Sequence, residues 1–139
     1  MDYDEIAEVI QEELIKLGIV VAQIHFDRFM APFFKAACER VRAFEDAEWM
    51  DVPQTFRPMG HRLTSLNSLM LEGKVRHGGH PLLNMAASNA IAVTGRKGLR
   101  TLDKSASTQR IDPLVAMTLA AWPFGDGRQE EFDPAVMIA

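Results

Sequence analysis

The stretch Ile19-Val20-Val21-Ala22-Gln23-Ile24-His25-Phe26-Asp27 decides the fold class of this chain. Its β-branched, apolar residues continue for the length of a strand and predict a buried strand over residues 19–26. The residues before it predict an amphipathic helix that ends near Gly18, because apolar side chains recur there at helical spacing. These side chains are Ile6, Val9, Ile10, Leu14 and Leu17.

A second helix is predicted after this stretch, beginning near Pro32. One of its faces is predicted to be apolar. That face comprises Phe29, Phe33, Ala37, Val41 and Phe44. The order helix, strand, helix is typical of an α/β fold. A further short strand is predicted between Trp49 and Phe56, where Pro53 interrupts an otherwise strand-like pattern.

The second half of the chain predicts shorter elements. A helix is expected over about residues 63–72, with Leu63, Leu66, Leu69 and Met70 inward and Gly73 near its end. The glycines of residues 77–81 indicate a turn, and residues 94–98 form a loop between two short strands. A polar connector over residues 104–109 leads to a last helix from Asp112 to Pro123. That helix is apolar nearly all round, so we expect it to be buried.

Length and composition indicate one soluble globular domain. The chain has 139 residues, 47% hydrophobic and 24% charged. We expect a domain over residues 1–125 and a mobile acidic tail over residues 126–139. The longest apolar run is too short to span a membrane, and the acidic N-terminus differs from a signal peptide, so we expect a cytoplasmic protein. The single cysteine, Cys38, excludes an internal disulfide and a cysteine-based zinc site.

Charge is distributed unevenly along the chain. From Arg57 to Arg110 there are nine Lys or Arg residues and two acids, a net charge of +7, whereas the rest of the chain has −11. A basic stretch within an acidic protein fits a phosphate-binding face, because neutralising phosphates releases counterions. It also fits a solvated basic loop region, and charge alone does not choose between the two. The phosphate-binding interpretation predicts weak, sequence-independent DNA binding in which Arg96, Lys97, Arg100 and Lys104 are prominent.

Two aspartates occupy positions where chemistry is common. Asp27 follows a strand whose carboxyl end would face the usual ligand crevice of an α/β sheet. Asp112 precedes Pro113 at the start of the last helix, close to Lys104, Ser105 and Arg110. Each aspartate also fits a simple helix cap, so both interpretations stay open. Asp112 fits the two roles together, because one carboxylate oxygen can cap while the other faces a metal.

Other constellations are incomplete. Lys104-Ser105 does not complete a nucleotide-binding phosphate loop, because Asp103 stands where that motif has glycine. His77 and His80 lie in a glycine turn without neighbouring acids or cysteine, which favours structural or phosphate-contacting histidines over a zinc site. The pattern G-x-S-x-G of a serine-hydrolase nucleophile is absent from the sequence.

Taken in order, three later blocks resemble the nuclease domain of the phage terminase large subunit. They are Glu72-Gly73-Lys74-Val75-Arg76-His77-Gly78-Gly79-His80-Pro81-Leu82-Leu83, Ala87-Ser88-Asn89-Ala90, and Lys104-Ser105-Ala106-Ser107-Thr108-Gln109-Arg110-Ile111-Asp112-Pro113-Leu114-Val115-Ala116-Met117. With the strand that ends at Phe26-Asp27, the resemblance extends over about residues 6–122. It is specific because the blocks occur at family-like spacing.

The resemblance implies an RNase H-like, three-layer α/β fold with a small mixed sheet that lacks its first strands. It also implies a DNA endonuclease in which acidic residues hold two Mg²⁺ or Mn²⁺ ions. Asp27 is similar to the family's second acidic position and Asp112 to its last, which implies that their carboxylates share one ion. Lys104 matches a basic residue that stabilises phosphate charge. Arg96, Lys97, Arg100 and Arg110 are then expected to contact DNA, and His77 and Asn89 match motif positions without an assigned role.

The chain departs from the family pattern at its beginning and at one motif position. The family's first metal-binding aspartate and its ATPase motor lie upstream of the first helix seen here, and His80 stands where the family more often has asparagine. An incomplete fragment with weak or no activity is therefore expected. The alternative is a non-catalytic DNA-binding or assembly remnant of a prophage terminase, and an unrelated α/β binding protein is a third hypothesis. The expected partners are double-stranded DNA, a terminase small subunit, a portal protein and further copies of this chain that cover an exposed sheet edge.

Overall fold

The structure is a computed structural model that describes residues 1–29, 31–107 and 110–125. These residues divide into two compact units, one of residues 1–52 and one that begins at Pro53. The tail predicted over residues 126–139 lies outside the described residues. Within the described ranges, no helix is long and apolar enough to cross a membrane.

The first unit alternates helices and strands. Its elements are α1 (Tyr3–Lys16), β1 (Gln23–Phe26), α2 (Ala31–Val41) and β2 (Glu48–Asp51). Strands β1 and β2 pair in parallel, with Phe26 opposite Asp51, and the Val52 amide extends the ladder by donating to the Phe26 carbonyl over 2.9 Å. The predicted helix–strand–helix order and the short second strand are confirmed.

Small residues allow α1 and α2 to pack closely. Ala7 of α1, Cys38 of α2 and Ala43 after α2 form a buried cluster, and Phe34, Val41, Phe44 and Trp49 pack against it. Arg40 of α2 also donates to the Asp4 carboxylate of α1, from Nε over 3.1 Å. This hydrogen bond is the main reason why the pKa of Asp4 is lowered. Helix α1 ends as predicted, since Gly18 follows its cap with φ +68°.

Two predictions for the first unit are wrong in detail. The buried strand predicted over residues 19–26 is only four residues long, because its partner β2 pairs with Gln23–Phe26 alone. These four residues are half-buried, and Ile19 and Val20 are exposed. The predicted apolar face of the second helix is confirmed at Ala37, Val41 and Phe44 but is wrong at its beginning. Phe29 and Phe33 are exposed, whereas Phe34 packs on the core.

The second unit is mainly helical and contains one hairpin. Its longer elements are α3 (Phe56–Leu71), α4 (Pro81–Asn89), β3 (Ala92–Thr94), β4 (Arg100–Leu102) and α5 (Asp112–Ala120). Strands β3 and β4 pair antiparallel around the predicted loop, which contains a 3-10 turn over Arg96–Gly98. The parallel and antiparallel pairs thus form two separate two-stranded sheets instead of the single small mixed sheet that was expected.

The core of the second unit lies between α3 and α5. Leu66 and Leu69 of α3 are buried, as are Val115 and Leu119 of α5 and Ile111 before it. Helix α3 begins seven residues earlier than predicted, since its first turn accommodates Pro58, and Met70 is exposed. Helix α5 is not buried all round, because Ala116 and Ala120 face solvent, which their small side chains tolerate.

Candidate functional site

Asp27 lies where the sequence predicted, directly after β1. Its Oδ1 accepts a hydrogen bond from the Phe29 amide over 3.1 Å, and its carbonyl accepts from the Ala31 amide over 3.4 Å. The carboxylate therefore forms a turn directly after β1. Because α2 begins only at Ala31, Asp27 is not the N-cap residue that the helix-cap interpretation expected. Because only Oδ1 makes this bond, the second oxygen is not used by the turn.

Asp51 is a second carboxylate at the same end of the parallel pair, and the sequence analysis did not single it out. It lies opposite Phe26 in the strand register, so it ends β2 where Asp27 follows β1. The Arg28 guanidinium pairs with Asp51, from Nη2 to Oδ2 over 2.9 Å. The available signal was an acid within the predicted second strand, just before Pro53.

Asp112 occupies the first position of α5, one residue beyond the expected cap. Ile111 is the N-cap residue and contributes no side-chain cap hydrogen bond. The Asp112 side chain is exposed and accepts no hydrogen bond from the residues that the structure describes. A carboxylate at this end of a helix is still stabilised by the partial positive charge of the first turn. The interpretation of Asp112 as a simple N-cap is therefore wrong.

Lys104 lies in a loop that Asp103 holds in place. The Asp103 Oδ1 accepts from the Ser105 amide over 2.9 Å, from the Ser105 hydroxyl over 2.6 Å and from the Ala106 amide over 3.1 Å. The hydrogen bond from the Ser105 side chain is the largest cause of the lowered pKa of Asp103, followed by the Ala106 amide. Lys104 itself is exposed between these anchored residues.

The four predicted DNA-contacting cations are exposed. Arg96 and Lys97 form the tip of the β3–β4 hairpin, where Lys97 adopts a left-handed conformation with φ 65°. Arg100 begins β4, and Arg110 precedes α5. Thr108 and Gln109, which precede Arg110 in the motif, lie outside the described residues.

Two residues of the basic stretch do not contribute free surface charge. Arg62 is 9% exposed, donates to the Leu119 carbonyl over 3.1 Å and lies over the Trp122 ring. A cation at this place is favourable, because the carbonyl groups at the end of α5 are partially negative. Lys74 pairs with Glu72 over 2.6 Å. The positive surface is consequently smaller than the sequence count of the stretch suggested.

The motif histidines stabilise the backbone. His77 Nδ1 accepts from the Gly79 amide over 3.1 Å, and His80 Nδ1 caps α4 by accepting from the Leu82 amide over 3.3 Å. These bonds favour the structural interpretation of both side chains. Asn89 ends α4, and its Nδ2 is buried without a hydrogen-bond partner in the described chain.

The carboxylates have suitable chemistry for a hard divalent cation but are few. Mg²⁺ and Mn²⁺ prefer oxygen ligands, which Asp27, Asp51 and Asp112 provide. Among the described residues, however, no three His, Cys, Asp or Glu side chains lie close enough to hold a metal ion together. Asp27 belongs to the first unit and Asp112 to the second, and the prediction that they share an ion stays a prediction.

Comparison with known proteins gives consistent matches. The family model described as "Terminase large subunit, endonuclease domain" matches residues 1–128. The terminase large subunit of Enterobacteria phage HK97 is 43% identical over 116 residues, covering 76% of this chain and 23% of that protein. The crystal structure of the HK97 large terminase superposes with a TM-score of 0.74 at 36% identity, covering 87% of this chain and 24% of the HK97 chain. The chain thus spans about a quarter of the length of this relative.

Proposed function

This chain belongs to the family of terminase large-subunit endonuclease domains, and we propose that it hydrolyses phosphodiester bonds of DNA with a divalent metal. The matches confirm the family resemblance and the α/β, RNase H-like fold that the resemblance implied. One observation supports this most directly. Asp112 is exposed at the start of α5 and is not used as the helix cap that would otherwise explain it. A carboxylate without a structural partner in the described chain is available to a cation.

Within this proposal, Asp27 and Asp112 would supply carboxylate oxygens to a divalent metal ion, for which we propose Mg²⁺ or Mn²⁺ because both prefer oxygen ligands. A bound divalent metal supplies Lewis-acid stabilisation of phosphate oxygens. Lys104 contacts the phosphate that is cleaved and stabilises its negative charge, supported by the Asp103 anchor that fixes the loop. A water molecule serves as the nucleophile, so no side-chain nucleophile is required.

Exposed cationic side chains position the DNA by binding its backbone. Arg96, Lys97 and Arg100 on the hairpin, with Arg110 before α5, bind phosphates of double-stranded DNA. The family further supports action in genome packaging in the cytoplasm of a bacterial host, with a terminase small subunit, a portal protein and other copies of the chain as partners.

Thermal melts with and without Mn²⁺ test the metal proposal. A ligand that binds only the folded state raises the melting temperature, so Mn²⁺ should stabilise the wild type. Asp112→Asn should weaken this response, because the amide is a poorer ligand than the carboxylate. Asp46→Asn is the matched control, since Asp46 is also an exposed aspartate but lies outside the proposed site.

Equal Mn²⁺ responses of the wild type and Asp112→Asn would contradict the assignment of Asp112. If Mn²⁺ stabilised neither protein while DNA binding persisted, the alternative of a non-catalytic DNA-binding remnant would replace the nuclease proposal. Cleavage of a plasmid by the wild type, measured under the same conditions, shows whether metal binding is accompanied by nuclease activity.

A further inference from the structure

A cavity of about 400 Å³ lies in the second unit, lined by the start of α3, the β3–β4 hairpin, the Lys104 loop and α5. Its volume is within the range of small-molecule sites, about 300–1,000 Å³. Met59 and Val115 provide well-buried apolar lining, and Val93 provides a more exposed part. Such a lining with a few polar groups is typical of sites for organic ligands.

An exposed aromatic ring borders this cavity. Phe56 is 39% exposed, although its ring packs closely against the backbone of the hairpin. A Cβ atom on Gly95 would lie only 2.4 Å from the Phe56 Cζ, so the glycine is what allows this approach. The ring is therefore held in place while part of it remains accessible. Nucleobases stack on aromatic side chains of this kind without regard to sequence.

The polar lining supplies complementary groups. Asp103 presents an acceptor whose position is fixed by its bonds to the Ser105 and Ala106 amides, and carboxylates accept hydrogen bonds from exocyclic amino groups of bases. Gln54 provides an amide. Lys104 adds an exposed ammonium group in the same lining, suited to a phosphate.

These groups together favour a nucleotide over simpler ligands. An apolar ligand would not use the Lys104 ammonium group or the Asp103 carboxylate, and an inorganic anion would not use Phe56, Met59 or Val115. An aromatic ring, an acceptor and a cation in one cavity match a base joined to a phosphate.

We propose that this cavity binds one unstacked nucleobase of a DNA strand, with Lys104 on the neighbouring phosphate. The proposal rests on the proposed function, because it takes DNA as the substrate, and adds a subsite for a base outside the helix. Removing a base from the duplex costs stacking and pairing energy, and that cost is smallest where the base is already unpaired. The protein should accordingly prefer DNA that contains an unpaired base.

The experiment compares two duplexes with the 139-residue chain. One contains a single bulged 2-aminopurine, and the other contains the same base fully paired. We expect the bulged duplex to bind about fivefold tighter or more, the lower end of what stacking one base on an aromatic side chain provides, with a change in 2-aminopurine fluorescence. Val93→Trp fills the cavity and should abolish both the preference and the fluorescence change, leaving binding of the paired duplex unchanged.

Thr94→Trp is the matched control. Thr94 is the next residue of the same strand and is exposed, but its side chain is on the opposite face and does not line the cavity. It should retain the preference for the bulged duplex. Circular dichroism of both variants establishes that they are folded.

Three outcomes would overturn the base-binding proposal. Equal binding of both duplexes by the wild type would do so while leaving DNA binding, and hence the proposed function, intact. Loss of the preference for the bulged duplex in both tryptophan variants would show that this preference does not depend on the cavity. Binding of free 2-aminopurine nucleoside monophosphate with a fluorescence change, together with no binding of either duplex, would assign the cavity to a free nucleotide and contradict the proposed function as well.

Discussion

Asp103 illustrates how a single carboxylate positions a neighbouring functional group. Its Oδ1 accepts three hydrogen bonds from Ser105 and Ala106, and Lys104 lies between the acceptor and its donors in the chain. The loop conformation therefore depends on an acceptor at residue 103, although Asp103 itself is not assigned to the chemistry. In the sequence, Asp103 stands out only because it occupies a position where a phosphate-loop motif has glycine.

The lowered pKa of Asp103 predicts a pH effect on stability. The hydrogen bonds favour the ionised carboxylate in the folded state, so the unfolded state binds the proton more readily below the ordinary pKa of 3.8. The stabilisation is complete above that pH and is lost as the pH falls through the lower pKa of the folded state. Urea unfolding of the wild type and Asp103→Asn between pH 2 and 6 should give a stability difference that shrinks in this acidic range.

Ser105→Ala provides the complementary variant for Asp103. It removes the hydroxyl donor that contributes most to the lowered pKa, so NMR titration of the Asp103 carboxyl carbon should show a pKa nearer the ordinary value. An unchanged pKa in Ser105→Ala would contradict this account of the loop.

At the scale of helices and strands, the sequence predicted features that depend on local residues better than features that depend on long-range pairing. Gly18 and Gly73 marked helix ends correctly, because both adopt the left-handed conformation that follows a helix. The strand over residues 19–26 was predicted too long, because its length is set by pairing with β2, which no local pattern reports. The alignment of Asp51 with Phe26 is invisible in the sequence for the same reason.

Gly60 gives a prediction about the contact between α3 and β4. A Cβ atom there would lie 2.7 Å from Leu99 Cγ and 3.0 Å from the Arg100 carbonyl oxygen. Gly60→Ala should therefore reduce the free energy of unfolding by about 1–3 kcal/mol, as is typical of overpacking. Helix propensity alone predicts the opposite sign, since Ala is favoured over Gly by about 1 kcal/mol in a helix.

Chemical denaturation distinguishes the two effects at Gly60. Asn67→Ala is the control on the same helix, because Asn67 is exposed, and its effect should stay within about 0.5 kcal/mol. A Gly60→Ala variant at least as stable as the wild type would show that α3 and β4 are not packed as closely as described.

For the molecule as a whole, the sequence predicted the class of fold and the family, and the matches confirm both. It did not predict which charges are available at the surface. Arg62 counted toward the basic stretch, but its guanidinium is buried between the end of α5 and Trp122, where it stabilises the second unit. Long-range packing decides whether such a charge lies at the surface, and neither the count of charges nor their spacing in the sequence predicts this packing.

The uneven charge of the molecule leads to the last prediction, a steep salt dependence of DNA binding despite a net charge of −4. Local phosphate contacts dominate over net charge, because each contact releases counterions and changes the slope of log K against log salt by about 1. Replacing Arg96, Lys97 and Arg100 by Ala should therefore reduce the slope by about 3 if each contacts a phosphate.

The control for this triple variant carries the same change in net charge. Replacing Lys16, Lys35 and Arg42 of the first unit by Ala also removes three positive charges, but these residues lie in the acidic part of the chain. If net charge governed binding, both triple variants would lose affinity and slope equally. If the hairpin governs it, only the first variant should do so, because a charge that contacts no phosphate releases no counterions. Fluorescence anisotropy with a DNA duplex over a series of salt concentrations measures both slopes, and equal slopes in the two variants would remove the hairpin from the DNA-binding surface.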